Sequence, residues 1–252
     1  MMGEHRKKLI CLMQEVSGKH SLWNVFEDFC MMTALSLANQ SDLYHTVTPK
    51  AVWEERENRY LETIRKYDEK ERMLFPQMIA ELVGEMEQVM QTGFRDVLGE
   101  IFHELEFHNK WKGQFFTPQS VCDMMGSMAM DADVIRKTAK VYGFVSLNEP
   151  ACGSGAIMLG FANACRDAGI NHSRQVLFIG QDVDERCIHM AYIQLSLYGF
   201  PAVLQKMNTL SMQAYGPAWY TPVYVLDGWE WKAWRRRKVE AEETELLEMI
   251  NG

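Results

Sequence analysis

The chain has no apolar run approaching the roughly 18 or more residues of a membrane span. Its opening, MMGEHRKKLI, lacks the apolar core and small-residue cleavage site of a secretory signal. A spanning or exported protein is therefore not expected, and the cytoplasm is the expected compartment. There is no CxxC pair either: six cysteines stand singly at 11, 30, 122, 152, 165 and 187. That scatter argues against a disulfide frame or a thiolate zinc site and suits reduced, mostly buried thiols. Positive charge is scarce, with 26 Lys and Arg against 34 Asp and Glu, a formal net charge of -8. Such a molecule repels a phosphate backbone except where basic residues gather. Two places qualify, His5 to Lys8 and Lys232 to Lys238, the second interleaved with Trp231 and Trp234. A solvated helix face is the ordinary reading of both. No internal repeat and no low-complexity linker interrupts the chain.

What is present is enough for a sizeable core: 252 residues, of which 47% are hydrophobic. Up to about Trp111 the apolar residues recur at helical spacing, as in Leu22, Phe26, Phe29, Thr33 and Leu37, then Met78, Leu82 and Met86, then Phe94, Leu98, Phe102 and Leu105. Ser21 is the expected N-cap of the second helix, and Thr48-Pro49 opens a charged helix expected to run to about Glu71. The methionines fall mostly on apolar faces and read as core filling. Beyond Gly113 the texture changes to short β-branched runs alternating with helices: VYGFVSL, QVLFIG, AVLQKM and TPVYVL. This alternation predicts an α/β fold with a parallel sheet of four strands. The expected organisation is a helical N-terminal domain over 1–112, a Rossmann-like domain over 113–227 and a C-terminal helix over 228–252.

The first strand runs into Asn148-Glu149-Pro150-Ala151-Cys152-Gly153-Ser154-Gly155 and then a helix from about Ala156. Glycines at that junction allow a tight turn and close approach of a ligand to the helix N-terminus. A dinucleotide fingerprint wants a third glycine where the chain has Met158, which disfavours a nicotinamide or flavin enzyme. The second strand ends in Gly180-Gln181-Asp182-Val183-Asp184. A carboxylate at that place can accept hydrogen bonds from both hydroxyls of a ribose, and Asp182 is the choice, with Asp184 expected to cap the next helix. The third strand ends at Asn208-Thr209-Leu210, where the amide either faces an adenine edge or caps a turn.

The run Gly113-Gln114-Phe115-Phe116-Thr117-Pro118, followed by NEPACGSG, GQDVD and NTL, resembles the modification subunits of type I restriction-modification systems and related N-6 adenine DNA methyltransferases. The resemblance covers roughly 94–210. It implies a class I S-adenosylmethionine-dependent methyltransferase sheet and S-adenosyl-L-methionine as cofactor. Phe116, Thr117 and Pro118 match the segment that closes over the methionine part of the cofactor. Glu149, Ala151, Gly153 and Gly155 match the glycine loop, with Glu149 where the family usually has Asp. Asp182 matches the ribose acid, and Asn208 stands where an Asp commonly contacts adenine.

The family transfers its methyl group with Asn, Asp or Ser followed by Pro-Pro and an aromatic residue. This chain has seven prolines, none adjacent to another. The nearest echo, Thr221-Pro222-Val223-Tyr224, reads as the start of a strand, whereas the family motif follows one, so no catalytic residue is assigned. The resemblance also implies a sheet of seven strands, of which four are found here, a truncated form. A sheet edge left open in this way calls for cover by the Trp-rich tail or by another chain, so a homo-oligomer or a specificity-type subunit is an expected partner, with DNA as substrate. Two readings follow: a methyltransferase acting in DNA methylation or restriction-modification with a partner, or a catalytically inactive binding or regulatory module on the same scaffold. A plain scaffold without ligand is a third. A zinc-protease reading of His103-Glu104-Leu105-Glu106-Phe107-His108 fails, because histidines five apart lie about 140° apart around a helix. No metal is called for.

Overall fold

The computed structural model describes residues 3–107 and 116–251, with side chains 243 and 245–251 left aside. The N-terminal region is helical: α1 (Glu4–Val16), α2 (Leu22–Ser41), α3 (Lys50–Ile64), α4 (Glu69–Arg72), α5 (Leu74–Met90) and α6 (Val97–Glu104). Ser21 caps α2, accepting the N–H of Asn24 at 3.1 Å, as its hydroxyl and position foretell. The charged helix expected to reach Glu71 ends earlier, at Ile64. Asp68 starts a separate turn there through a reciprocal capping box with Glu71, and this local side-chain bonding outcompetes continuation of the helix.

After residue 116 come α7 (Gln119–Ala129), α8 (Ala132–Tyr142), β1 (Val145–Glu149), α9 (Ala156–Asp167), α10 (His172–Gln175), β2 (Val176–Asp182), α11 (Glu185–Leu197) and β3 (Ala202–Asn208). The chain closes with β4 (Gln213–Ala214), β5 (Trp219–Tyr220), α12 (Pro222–Leu226) and α13 (Trp229–Asn251). Strands β1, β2 and β3 are parallel neighbours in that order, with Glu149 beside Gly180 and Asp182 beside Lys206. Both β4 and β5 double back antiparallel on the outer edge of β3. The fold is thus α/β, a Rossmann-like arrangement preceded by helices.

One expected strand is a helix. TPVYVL forms α12, with Thr221 as N-cap and Pro222 in the first turn. Proline's fixed φ and missing N–H suit a helix start, and this overrides the β preference of Val223, Tyr224 and Val225. Among the described residues the parallel part of the sheet therefore has three strands, not the four expected, and Trp219 and Tyr220 just before this helix pair with β3 antiparallel instead.

The main core is continuous from Leu9 and Met13 of α1, through Phe29 and Phe102, to Met158, Phe178, Tyr192 and Leu204. Helix α11 is the shared wall, buried along nearly its whole length and packed against both α2 and the sheet. Helices α7 and α9 cross at two glycines. A Cβ on Gly126 would lie 2.4 Å from the backbone of Gly160, and one on Gly160 would lie 2.3 Å from the Cys122 carbonyl oxygen. Trp229, at the start of α13, is fully buried against Phe144, Leu177 and Tyr224. Five cysteines are buried and Cys11 is exposed, all with free thiols. No described helix is long and apolar enough to cross a membrane.

Candidate functional site

The carboxyl ends of the three parallel strands meet at one place. Leaving β1, the chain turns through Gly153 (φ 52°) and Gly155 (φ 95°), left-handed conformations that favour glycine. Gly155 is the N-cap of α9 and offers no side-chain cap, so the first N–H groups of the helix lack a capping partner. Cys152 donates its N–H to the Gln181 carbonyl at 2.8 Å, fastening the loop to β2. Gly180 packs closely beneath it: a Cβ there would press on the side-chain ends of Met158 and Leu204 at 2.6 Å.

Asp182 ends β2 and holds two backbone N–H groups, Gly153 at 3.0 Å on Oδ2 and Asp184 at 2.9 Å on Oδ1. Burial raises its pKa, and these hydrogen bonds oppose the rise. Each oxygen retains a second lone pair for a ligand donor. Asp184 caps α11 through the N–H of Arg186 and pairs with the Arg186 guanidinium at 2.7 Å. Asp184 is thus the cap of α11, as its position suggests.

Glu149 bends over its own turn and accepts the Ala151 N–H at 3.2 Å. Asn208 uses its amide oxygen to cap the following turn, accepting from Leu210 and Ser211 at 3.0 and 3.2 Å. Thr209 reaches across to the Pro150 carbonyl at 3.0 Å, tying the end of β3 to the glycine loop. Gly153, Gly155, Glu149, Ala151, Asp182 and Asn208 are thus gathered at one rim. Val183 and Leu210 are exposed large apolar side chains on the same strand ends, suited to the face of a base.

Of the GQFFTP segment, Gly113, Gln114 and Phe115 lie outside the described residues, as do His108 and the boundary at 112–113. Phe116 lies against the loop: a Cβ on Gly153 would meet its ring at 3.3 Å. Its backbone N–H donates to His103 Nε2 at 3.2 Å, and its ring packs edge-on against Phe102. With Thr117, Pro118, Asp96, His103 and Gln119 it lines an open cleft of about 430 Å³. Phe116 links that cleft to the glycine loop.

Sequence reasoning missed the buried network under the loop. Asp96, the N-cap of α6, accepts from the Ser154 hydroxyl, from Gln194 Nε2 at 2.8 Å and from the Gly99 N–H at 2.9 Å. Gln194 also donates to the Ser154 carbonyl and accepts the Leu98 N–H. Burial raises the Asp96 pKa against these bonds. Gln119 joins the same system by accepting the Asp96 N–H at 3.0 Å. The only sequence signal is an Asp at a helix start, which looks like any cap.

Other candidates fall away. Cys152 sits in the loop, but burial, with Asp182 and Glu149 nearby, raises its thiol well above the ordinary range, so it packs rather than attacks. Thr221 is fully buried; its hydroxyl donates to the Phe200 carbonyl at 2.6 Å and accepts the Ala202 N–H at 2.8 Å. Those partners mark the amino end of β3, opposite the rim. Tyr224 is buried and donates to Glu230 at 2.6 Å. The Thr221-Pro222-Val223-Tyr224 echo is therefore structural. In the N-terminal basic cluster, Arg6 is engaged by Glu85 and Glu100, His5 by Glu81 and Lys8 by Glu4. Among the described residues, no group of three or more His, Cys, Asp or Glu is placed to hold a metal.

Residues 94–216 match the family model described as N-6 DNA Methylase. No curated protein sequence matches the chain. Among solved structures, the chain is similar to the type I restriction-modification system methyltransferase subunit from Streptococcus thermophilus, at 16% identity and a TM-score of 0.36. That alignment covers 82% of this chain and 58% of the other, so the chain spans little more than half the length of that subunit.

Proposed function

We propose, from the match of residues 94–216 to the N-6 DNA methylase model, that the rim formed by the glycine loop and Asp182 binds S-adenosyl-L-methionine for methylation of adenine in DNA. The observation that carries this reading is the direct bond from Gly153 N–H to Asp182 Oδ2, which holds the loop and the acid side by side. The residues fit the cofactor. Gly153 presents bare backbone beneath the Phe116 ring, and a Cβ there would crowd the ring at 3.3 Å. Asp182 would take the ribose hydroxyls, and Asn208, whose oxygen is committed to its turn, would offer its amide hydrogens to the base. Phe116, Thr117 and Pro118 would close over the methionine part, and Glu149 and Ala151 would shape the loop. The bound cofactor supplies an electrophilic methyl group; the chain holds it and excludes water. In this reading the methylase unit extends over 113–227, between a helical domain and a terminal helix. DNA and a partner subunit, or a second copy, complete the target-base pocket.

A second reading, a cofactor-binding module without transferase activity, is favoured by the burial of Thr221 and Tyr224 at the opposite end of the sheet. Isothermal titration with S-adenosylmethionine, followed by tritiated methyl transfer to adenine-containing DNA, tests both. Saturable binding with transfer is the expected result; binding without transfer, even with partner subunits added, selects the module. No binding at all overturns the reading.

A further inference from the structure

Arg56 on α3 is a buried cation without a carboxylate partner. Its side chain belongs to a residue only 5% exposed. It stacks 4.3 Å over the Trp219 ring and spends one N–H on the Ala218 carbonyl at 3.0 Å, while its Nε has no hydrogen-bond partner. Burying a charge in this condition is costly unless an anion compensates it.

The cavity that Arg56 lines supplies further positive charge. Arg59 and Lys206 stand at its mouth with side chains 41% and 33% exposed. They share a single carboxylate: Glu185 accepts from Arg59 at 2.5 Å and lies 3.5 Å from Lys206 Nζ. Glu55 also borders the cavity, so three cations face two carboxylates there. The space is small, about 60 Å³, enough for one tetrahedral oxyanion and too little for a nucleoside. Two arginines and a lysine are the donors that suit phosphate oxygens. Lys206 is the β3 neighbour of Asp182, so the cavity lies one strand outward from the rim.

We propose that the cavity walled by Arg56, Arg59 and Lys206 is a binding site for a phosphate group. It does not depend on the cofactor reading, since none of its walls is a proposed cofactor residue.

The test is titration of the full chain with inorganic phosphate at low ionic strength, followed by phosphorus NMR and calorimetry. Saturable binding is expected, weakened fivefold or more by Arg59→Gln and by Lys206→Gln, and unchanged by Lys238→Gln on α13. Glu185→Gln should tighten binding threefold or more, because it removes the competing anion; a purely structural ion pair would give no such gain. Arg56→Met should abolish binding, and if that variant fails to fold, the two mouth variants decide. Absence of saturable binding, or binding indifferent to both mouth variants in folded protein, overturns the proposal. A parallel anisotropy titration with short duplex DNA identifies the source: loss in the same variants marks a backbone phosphodiester, and no change marks a free phosphate, with the site upheld in either case.

Discussion

Asp182 and Gly153, 29 residues apart in the chain, are joined by a 3.0 Å hydrogen bond from the glycine N–H to the aspartate Oδ2. The acid therefore both shapes the loop and presents what is left of its carboxylate. Asp182→Ala should lower S-adenosylmethionine affinity at least tenfold, the scale of a lost charge-assisted bond. Asp184→Ala removes the cap of α11 and its pairing with Arg186 and should stay within about threefold. Calorimetric titration of the two variants checks this; equal losses would contradict the assignment.

Asp96→Ala removes the acceptor of the Ser154 hydroxyl, the Gly99 N–H and one of the two Gln194 Nε2 hydrogen bonds in the interior. The expected cost is about 3 kcal/mol, against about 1 kcal/mol for Asp131→Ala, a cap at the surface. Urea denaturation of both variants measures the difference. A similar cost for the two would mean that the network under the loop is dispensable.

The crossing of α7 and α9 leaves no space for a methyl group. Gly160→Ala must push the Cys122 carbonyl aside, and about 2 kcal/mol or more of overpacking cost is expected. Because α7 begins directly after Pro118, the same change should weaken cofactor binding. Thermal melting with and without S-adenosylmethionine reads both effects, and a neutral result would show that the helices part easily.

Burial holds His172 neutral down to about 4 and His189 down to about 3. Both folded-state values lie below the ordinary 6.5, so their contribution to stability is present above pH 6.5 and is lost as pH falls toward them. From pH 7 to 5 each histidine should cost about 2 kcal/mol. His172→Phe keeps the aromatic packing on Phe200, 4.4 Å away, and should remove about half of the loss. Denaturation curves across that range test it; an unchanged slope would refute the role of His172.

Much of this was legible in the sequence because it is local. The glycine pair, the strand ending in Asp182, and the caps Ser21 and Asp184 each depend on residues within a few positions. What was not legible depends on distant partners or on competition between signals. Asp96 and Gln194 meet Ser154 only through tertiary packing, and Gly126 and Gly160 reveal their purpose only as a pair. At Thr221-Pro222 two local preferences conflict, and proline's geometry prevails over β-branching. Of the two options foreseen for Asn208, the structure shows the turn cap, with its oxygen accepting from Leu210 and Ser211.

By folding β4 and β5 back along β3, the chain seals that flank of its sheet with its own backbone. Among the described residues β1 pairs with β2 alone, which leaves its other side, along Val145–Glu149, as a place for a further strand to attach. A parallel newcomer would bring its carboxyl terminus level with Glu149, beside the glycine turn. Growth of the sheet along β1 would thereby lead to the glycine turn.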